Sequence, residues 1–191
     1  HLEHRRQRQM CIRDRSMSIN SVDIAMVFQK LLSFYRNSFV YIWFHPKVGF
    51  WVGATPEKLL TIQDDFMQTV ALAGTTKESS DGLVNWSDKE IKEQQYVKSY
   101  ILDSLNNVVD NLSFDELVNV KSGDLYHLCS KISGTLKSFK DYKDIIKLIH
   151  PTPAVCGIPL DASKEFISKN ECYDRSYYTG YLGVVSPNQK S

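Results

Sequence analysis

Between residues 38 and 74 the chain strings together four short β-branched and aromatic runs, SFVYIWF (38–44), GFWVG (49–53), KLLTIQ (58–63) and FMQTVALAG (66–74). Turn chemistry at His45-Pro46-Lys47 and Asp64-Asp65 separates them. Runs of this length bounded by such residues read as strands, here an antiparallel meander. The longest apolar runs, such as Phe39 to Phe44, are strand-length and fall well short of the roughly 18 residues that span a bilayer. A soluble protein with no membrane partner is expected.

Helical periodicity frames the strands. Ile24, Val27, Phe28, Leu31, Leu32 and Tyr35 recur at helical spacing behind a cap at Asn20 or Ser21, which predicts an amphipathic helix over residues 21–35. Ser87 followed by Glu90 is a capping-box signature, and Val97, Ile101, Leu105, Val108 and Leu112 give the long helix behind it a buried stripe. Strand candidates follow at 117–122 and 125–136, then a short helix near 141–149 and the Pro-bracketed segment HPTPAVCGIP (150–159). A helix over about 161–169 and a final strand near 179–186 complete the pass. Strands grouped before and after one long helix, without regular βαβ alternation, predict an α+β fold in one domain: a mixed or antiparallel sheet with packed helices.

Charge narrows the partners. The net charge of +1 conceals five Arg against two acids in residues 1–16, which leaves 18 basic and 20 acidic residues in the rest of the chain. That body gives no electrostatic case for nucleic acid. The leader HLEHRRQRQMCIRDRS lacks the apolar core of a signal peptide, and periodic patterning begins only after Met17, so residues 1–16 are expected to be a non-native or disordered leader. The four cysteines, at 11, 129, 156 and 172, form no CxxC pair and no zinc spacing, which fits a reducing cytoplasm. The oligomeric expectation is a monomer.

Several residues could carry chemistry, each with a plainer alternative. Glu57, in Gly53-Ala54-Thr55-Pro56-Glu57, follows a strand directly; an acid held there can have a raised pKa and act as a general acid, or it can simply begin a turn. Glu90 and Glu93 lie one helical turn apart near the inward edge of the long helix. Such a pair suits Mg²⁺, although Glu90 can equally close the capping box and Glu93 can face solvent. Ala71-Leu72-Ala73-Gly74-Thr75 ends a strand with groups able to cradle a carboxylate, or is an ordinary strand exit. His127 alternates within a strand and is either a hydrogen-bonded core residue or a catalyst. In segment 150–159, three prolines, a glycine and small residues make a stiff loop that a ligand can approach closely.

Taken in order, GATPEKLL, ALAGT, SDKEIKEQQYV, LYHLCSKISGTL, HPTPAVCGIPLDASKEFI and ECYDRSYYTGYLG resemble the chorismate-binding enzymes over roughly Asn20 to Val185. That group includes isochorismate, salicylate and anthranilate synthases and aminodeoxychorismate synthase component I. The resemblance implies chorismate as the small-molecule substrate, with Glu57 protonating its departing C4 hydroxyl. Glu93 is implied as a ligand of a Mg²⁺ cofactor and Glu90 as an acid beside it. Gly74 and Thr75 match positions that hold a substrate carboxylate, and His127 and Tyr178 match pocket residues around the ring. Gln94 stands where many members have His.

Ala154 directs the choice within the family. Members that also eliminate pyruvate usually carry Thr there, whereas isochorismate synthases resemble this chain in having HPTPA. An isochorismate synthase of menaquinone or siderophore biosynthesis is therefore expected, with a pyruvate-eliminating salicylate or anthranilate synthase or a non-catalytic chorismate-binding remnant as alternatives. The family's general-base Lys precedes the first helix, and a substrate-gripping Arg and a second metal-binding Glu follow the final strand. Lys47, Lys58 and Lys89 do not match the base position. Residues 17–191 are thus expected to be a partial catalytic domain, inactive as it stands.

Overall fold

A computed structural model describes residues 21–137, 142–171 and 175–186. The leader over residues 1–16, with Cys11, and also Cys172 lie outside the described residues. The first helix, α1 (Ile24–Phe34), is capped by Asp23, whose carboxylate accepts from the Met26 N–H at 3.0 Å. The cap thus lies later than Asn20 or Ser21, at the residue whose carboxylate stands three positions before an orphan N–H of the first turn.

The fold is α+β, and every strand pairing among the described residues is antiparallel. β1 (Phe39–His45) and β2 (Gly49–Thr55) make a ribbon of their own, against which α1 packs. β3 (Thr61–Gln63) pairs instead with β4 (Phe66–Lys77) in a second sheet. The four-strand meander therefore divides in two at Pro56, which follows the last paired residue, Thr55, and offers no N–H to continue a ladder. Asp64 turns β3 into β4 with a left-handed φ of 57°.

The long helix α2 (Asp88–Leu105) buries Gln94, Val97, Ile101 and Leu105, and it lies across β4. It stops earlier than the spacing of Val108 and Leu112 implies. Residues 109–114 form a strand, β5 (Val109–Phe114), with Val109 opposite Leu136 and Phe114 opposite Ile132. Two asparagines, poor helix formers, end α2, and pairing across the sheet then decides the next segment. β6 (Val118–Ser122) and β7 (Leu125–Leu136) complete a sheet of order β3-β4-β7-β5, with β6 pairing the first half of β7.

The core lies between this sheet and the helices. Met67, Ala71 and Ala73 of β4, Ile132 and Leu136 of β7, and Val97, Ile101 and Leu105 of α2 meet Ile145 and Ile149 of α3 (Tyr142–Ile149). Each fully buried Ile or Leu here contributes about 1.5–3 kcal/mol relative to exposure. The segment expected to be a stiff loop contains one helical turn, α4 (Pro153–Cys156), followed by α5 (Leu160–Asn170). The expected strand at 179–186 does not form. Residues 176–179 turn, and 181–186 run exposed with Val184 at 90% exposure, because no strand lies beside them among the described residues. No described helix is long and apolar enough to cross a membrane.

Candidate active site

The centre of the candidate site is an irregularity in β4. The β4–β7 register skips Gly74: Ala73 faces Leu128, whereas Thr75 faces His127. Gly74 has φ +76°, and a Cβ placed on it would lie 3.1 Å from Glu90 Cβ. Glycine is required twice over, by the left-handed backbone and by the close passage of α2. His127 Nδ1 lies 3.2 Å from both the Gly74 carbonyl oxygen and Thr75 Oγ1. A carbonyl oxygen only accepts, so Nδ1 carries the hydrogen and shares it between the two. In the neutral ring Nε2 is then the remaining acceptor.

Glu90 reaches this corner from the first turn of α2. Its carboxylate accepts from the Ser87 N–H at 3.2 Å and from the Ser87 hydroxyl, closing the capping box. The Ser87 hydroxyl is the main reason that its carboxyl is held below the usual range. Glu93, half-buried one turn further on, is pushed the other way, chiefly by burial, with Lys89 pulling it down and Glu90 pushing it up. Two carboxylates one turn apart are hard oxygen donors suited to a dication that keeps several waters, as Mg²⁺ does. They fit such an ion in kind, but no group of three or more His, Cys, Asp or Glu able to hold a metal occurs among the described residues.

Glu57 arrives from the β1–β2 ribbon, two residues past the end of β2, with its N–H donating to Thr55 Oγ1 at 3.2 Å. In this ribbon the Tyr41 ring lies over Gly53, where a Cβ would meet Tyr41 Oη at 2.7 Å. Glu57 keeps exposed surface, yet the protein around it desolvates its carboxyl and raises its pKa. Its charge also reaches Cys129 of β7, whose thiol is pushed up first by burial and further by Asp115 and Glu57, against Lys131. Cys129 stands two residues from His127, on the same face of β7.

Ala154 and Tyr178 stand apart from this corner. Ala154 is half-buried in α4 and packs on the core, beside Thr152, whose hydroxyl is buried without a hydrogen-bond partner among the described residues. Tyr178 is exposed, with Arg175 over its ring at 6.0 Å. The two are joined indirectly, since His150 Nε2 donates to the Thr179 carbonyl at 3.0 Å.

The sequence profile of the family described as chorismate binding enzyme matches residues 13–191. The chain belongs to the chorismate-binding enzyme family. It is 32% identical to the isochorismate synthase MenF of Haemophilus influenzae over 79% of this chain and 37% of that protein. It is 30% identical to the isochorismate synthase DhbC of Bacillus subtilis over 69% of this chain and 36% of that protein. The chain thus spans little more than a third of either relative. Among solved structures, the menaquinone-specific isochorismate synthase MenF from Escherichia coli shares the fold at TM-score 0.72 and 23% identity. The match covers 81% of this chain and 38% of that one. Anthranilate synthase component I from Streptococcus pneumoniae shares it at TM-score 0.66 and 16% identity, over 79% and 35% of the two chains.

In this member of the chorismate-binding enzyme family, the sequence marks Gly74, Thr75, His127 and Glu90 separately, and the fold brings the four together. Cys129 and Tyr177 are absent from the residues expected to carry chemistry. The period of two along β7 is enough to put Cys129 on the face of His127, whereas nothing local marks Tyr177.

Proposed function

We infer that these residues belong to an isochorismate synthase that converts chorismate to isochorismate with Mg²⁺, serving menaquinone or siderophore biosynthesis. The observation behind this is the meeting of the Gly74 bulge, Thr75, His127 and Glu90 at one corner, one helical turn from Glu93. It assembles, from three elements distant in sequence, the groups that a hydroxylated dicarboxylate needs.

The reaction adds water at C2 and releases the C4 hydroxyl as water, so the leaving oxygen must gain a proton. Glu57 supplies it: desolvation keeps a larger fraction of its carboxyl protonated towards neutral pH. The Thr75 hydroxyl and the backbone around Gly74 bind a substrate carboxylate. His127, its Nδ1–H committed to Gly74 and Thr75, holds the bulge in place and offers Nε2 to the ring. Glu93 and Glu90 would hold Mg²⁺, which when bound neutralises a substrate carboxylate. Tyr178 is assigned to the ring pocket on the resemblance of its motif, not on contact with the Gly74 corner. Ala154 presents a methyl where pyruvate-eliminating members carry a hydroxyl, which favours stopping at isochorismate.

Calorimetric titration with chorismate, with and without Mg²⁺, tests binding, and chromatography of the products of a full-length protein containing these residues tests the reaction. Chorismate binding that tightens with Mg²⁺ and loses that gain in Glu93→Gln supports the assignment. Release of pyruvate with salicylate or anthranilate would overturn the role given to Ala154, and Mg²⁺-independent binding would overturn that of Glu93.

A further inference from the structure

The β1–β2 ribbon meets the rest of the protein through an aromatic contact that no expected role accounts for. Trp43 and Trp51 are cross-strand partners, stacked with centroids 6.2 Å apart and planes 5° from parallel. The ring of Tyr177 stands edge-on to both, at 5.3 Å and 86° to Trp43 and at 5.6 Å and 83° to Trp51. Edge-to-face contacts of this kind favour a defined angle as well as a distance, because the ring edge is positive and the ring faces are negative. Tyr177 is nevertheless 55% exposed, so it is not core filling.

The turn that carries Tyr177 is fixed on its other sides too. Arg175 forms a two-pronged ion pair with Glu171, just past the end of α5, with Nε donating to Oε2 at 2.6 Å. His150, at the start of the segment that holds Ala154, donates to the Thr179 carbonyl. Within the turn, the Tyr178 N–H donates to the Arg175 carbonyl at 2.8 Å and the Gly180 N–H to the Tyr177 carbonyl at 3.1 Å. Ser176 and Thr179 hold left-handed φ values of 50° and 62°, conformations that non-glycine residues keep only where their surroundings enforce them. Two parts of the candidate site therefore meet at residues 175–180, which themselves carry Tyr178: the β1–β2 ribbon, whose second strand leads on to Glu57, and the segment bearing Ala154.

We propose that Tyr177 is a positioning residue, which sets the Tyr178 turn against the Glu57-bearing ribbon by standing edge-on to Trp43 and Trp51. This rests on the chorismate site inferred above, in that it assigns Glu57 and Tyr178 to one pocket. The ring is what matters, and the hydroxyl is dispensable.

The test compares Tyr177→Ala and Tyr177→Phe in the full chain, by hydrogen exchange over residues 39–55 and 175–186, near-ultraviolet circular dichroism and chorismate titration with Mg²⁺. In Y177A, exchange at Tyr178 and Gly180 should rise about tenfold or more. The near-ultraviolet signal of the tryptophan pair should change while the far-ultraviolet spectrum does not. Chorismate binding should weaken about tenfold, with Y177F staying within about twofold of the parent in every readout. Unchanged exchange at 175–180 in Y177A would overturn the proposal, as would Y177F behaving like Y177A. Should Y177A fail to fold, Tyr177→Leu keeps the bulk without the ring; faster exchange at 175–180 in that variant supports the proposal, and unchanged exchange overturns it. If the parent binds no chorismate, the functional assignment fails, while hydrogen exchange still decides whether Tyr177 positions the turn.

Discussion

The Nδ1 of His127 and the hydroxyl oxygen of Thr75 lie 3.2 Å apart across the β4–β7 ladder, directly after the bulge at Gly74. The same nitrogen serves the Gly74 carbonyl, so the imidazole fastens a distortion that an uninterrupted ladder would remove. His127→Ala should cost about 1–2 kcal/mol, since it removes a hydrogen-bond donor from the carbonyl of a buried residue. Thr75→Val removes only the exposed partner and should cost less, about 0.5 kcal/mol. Urea denaturation of both variants gives the order, and equal losses would mean that the bond to Gly74 contributes nothing.

Gly74→Ala tests the bulge from the backbone side. An alanine at φ +76° costs about 1–2 kcal/mol in conformation alone. Its Cβ would also press on Glu90, 3.1 Å from that residue's Cβ and 3.4 Å from its carbonyl oxygen. Backbone atoms of a helix do not yield easily, so the total loss should reach about 2 kcal/mol or more. A urea midpoint that scarcely moves would show that the bulge is not kept in this form.

The parts of this arrangement that rest on local pattern were legible in the sequence, and those that rest on long-range pairing were not. Val97, Ile101 and Leu105 declare a helix face through spacing alone, and Gly74 marks a break in the strand, although the strand runs on through the bulge to Lys77 instead of ending there. Val108 and Leu112 continue the same helical arithmetic, yet they leave the helix, because the pairing of Val109 with Leu136 outweighs local periodicity. His127 could be called a strand residue, but its partner Thr75 is 52 positions away and is set by the β4–β7 register. The contact of Tyr177 with a tryptophan pair more than a hundred residues earlier is of the same kind.

Gln94 ties α2 to both central strands. Its amide nitrogen donates to the Ala71 carbonyl at 3.4 Å and to Ser130 Oγ at 3.2 Å, where all three residues are buried. Gln94→Leu keeps the volume but strands the serine hydroxyl, and should cost about 1–3 kcal/mol. Ser130→Ala in the Gln94→Leu background should restore about 1 kcal/mol, because both polar partners are then gone. A double variant no more stable than Gln94→Leu would place the cost elsewhere in the packing of α2.

The three carboxylates of the candidate site should respond to pH with opposite signs. Folding raises the pKa values of Glu57 and Glu93 above the ordinary 4.5 by desolvation, so their charged forms oppose folding. That penalty is absent below 4.5, where both the folded and the unfolded chain are protonated; it grows as pH rises through the raised values and persists at neutrality. Glu57→Gln and Glu93→Gln should therefore stabilise the fold at about pH 7 and lose that gain at about pH 4. The gain is at most about 1 kcal/mol each, because neither carboxyl is fully removed from water. Folding lowers the pKa of Glu90, chiefly through Ser87, so its contribution is present above 4.5 and fades as pH falls through the lowered value. Glu90→Gln should destabilise at about pH 7, and its difference from the parent should close on acidification. Urea midpoints across that range separate the cases: the Glu57 and Glu93 variants lie above the parent at neutrality and the Glu90 variant below. Opposite ordering at neutrality would mean that Glu57 and Glu93 are stabilised as anions, and would remove the ground for Glu57 as a proton donor.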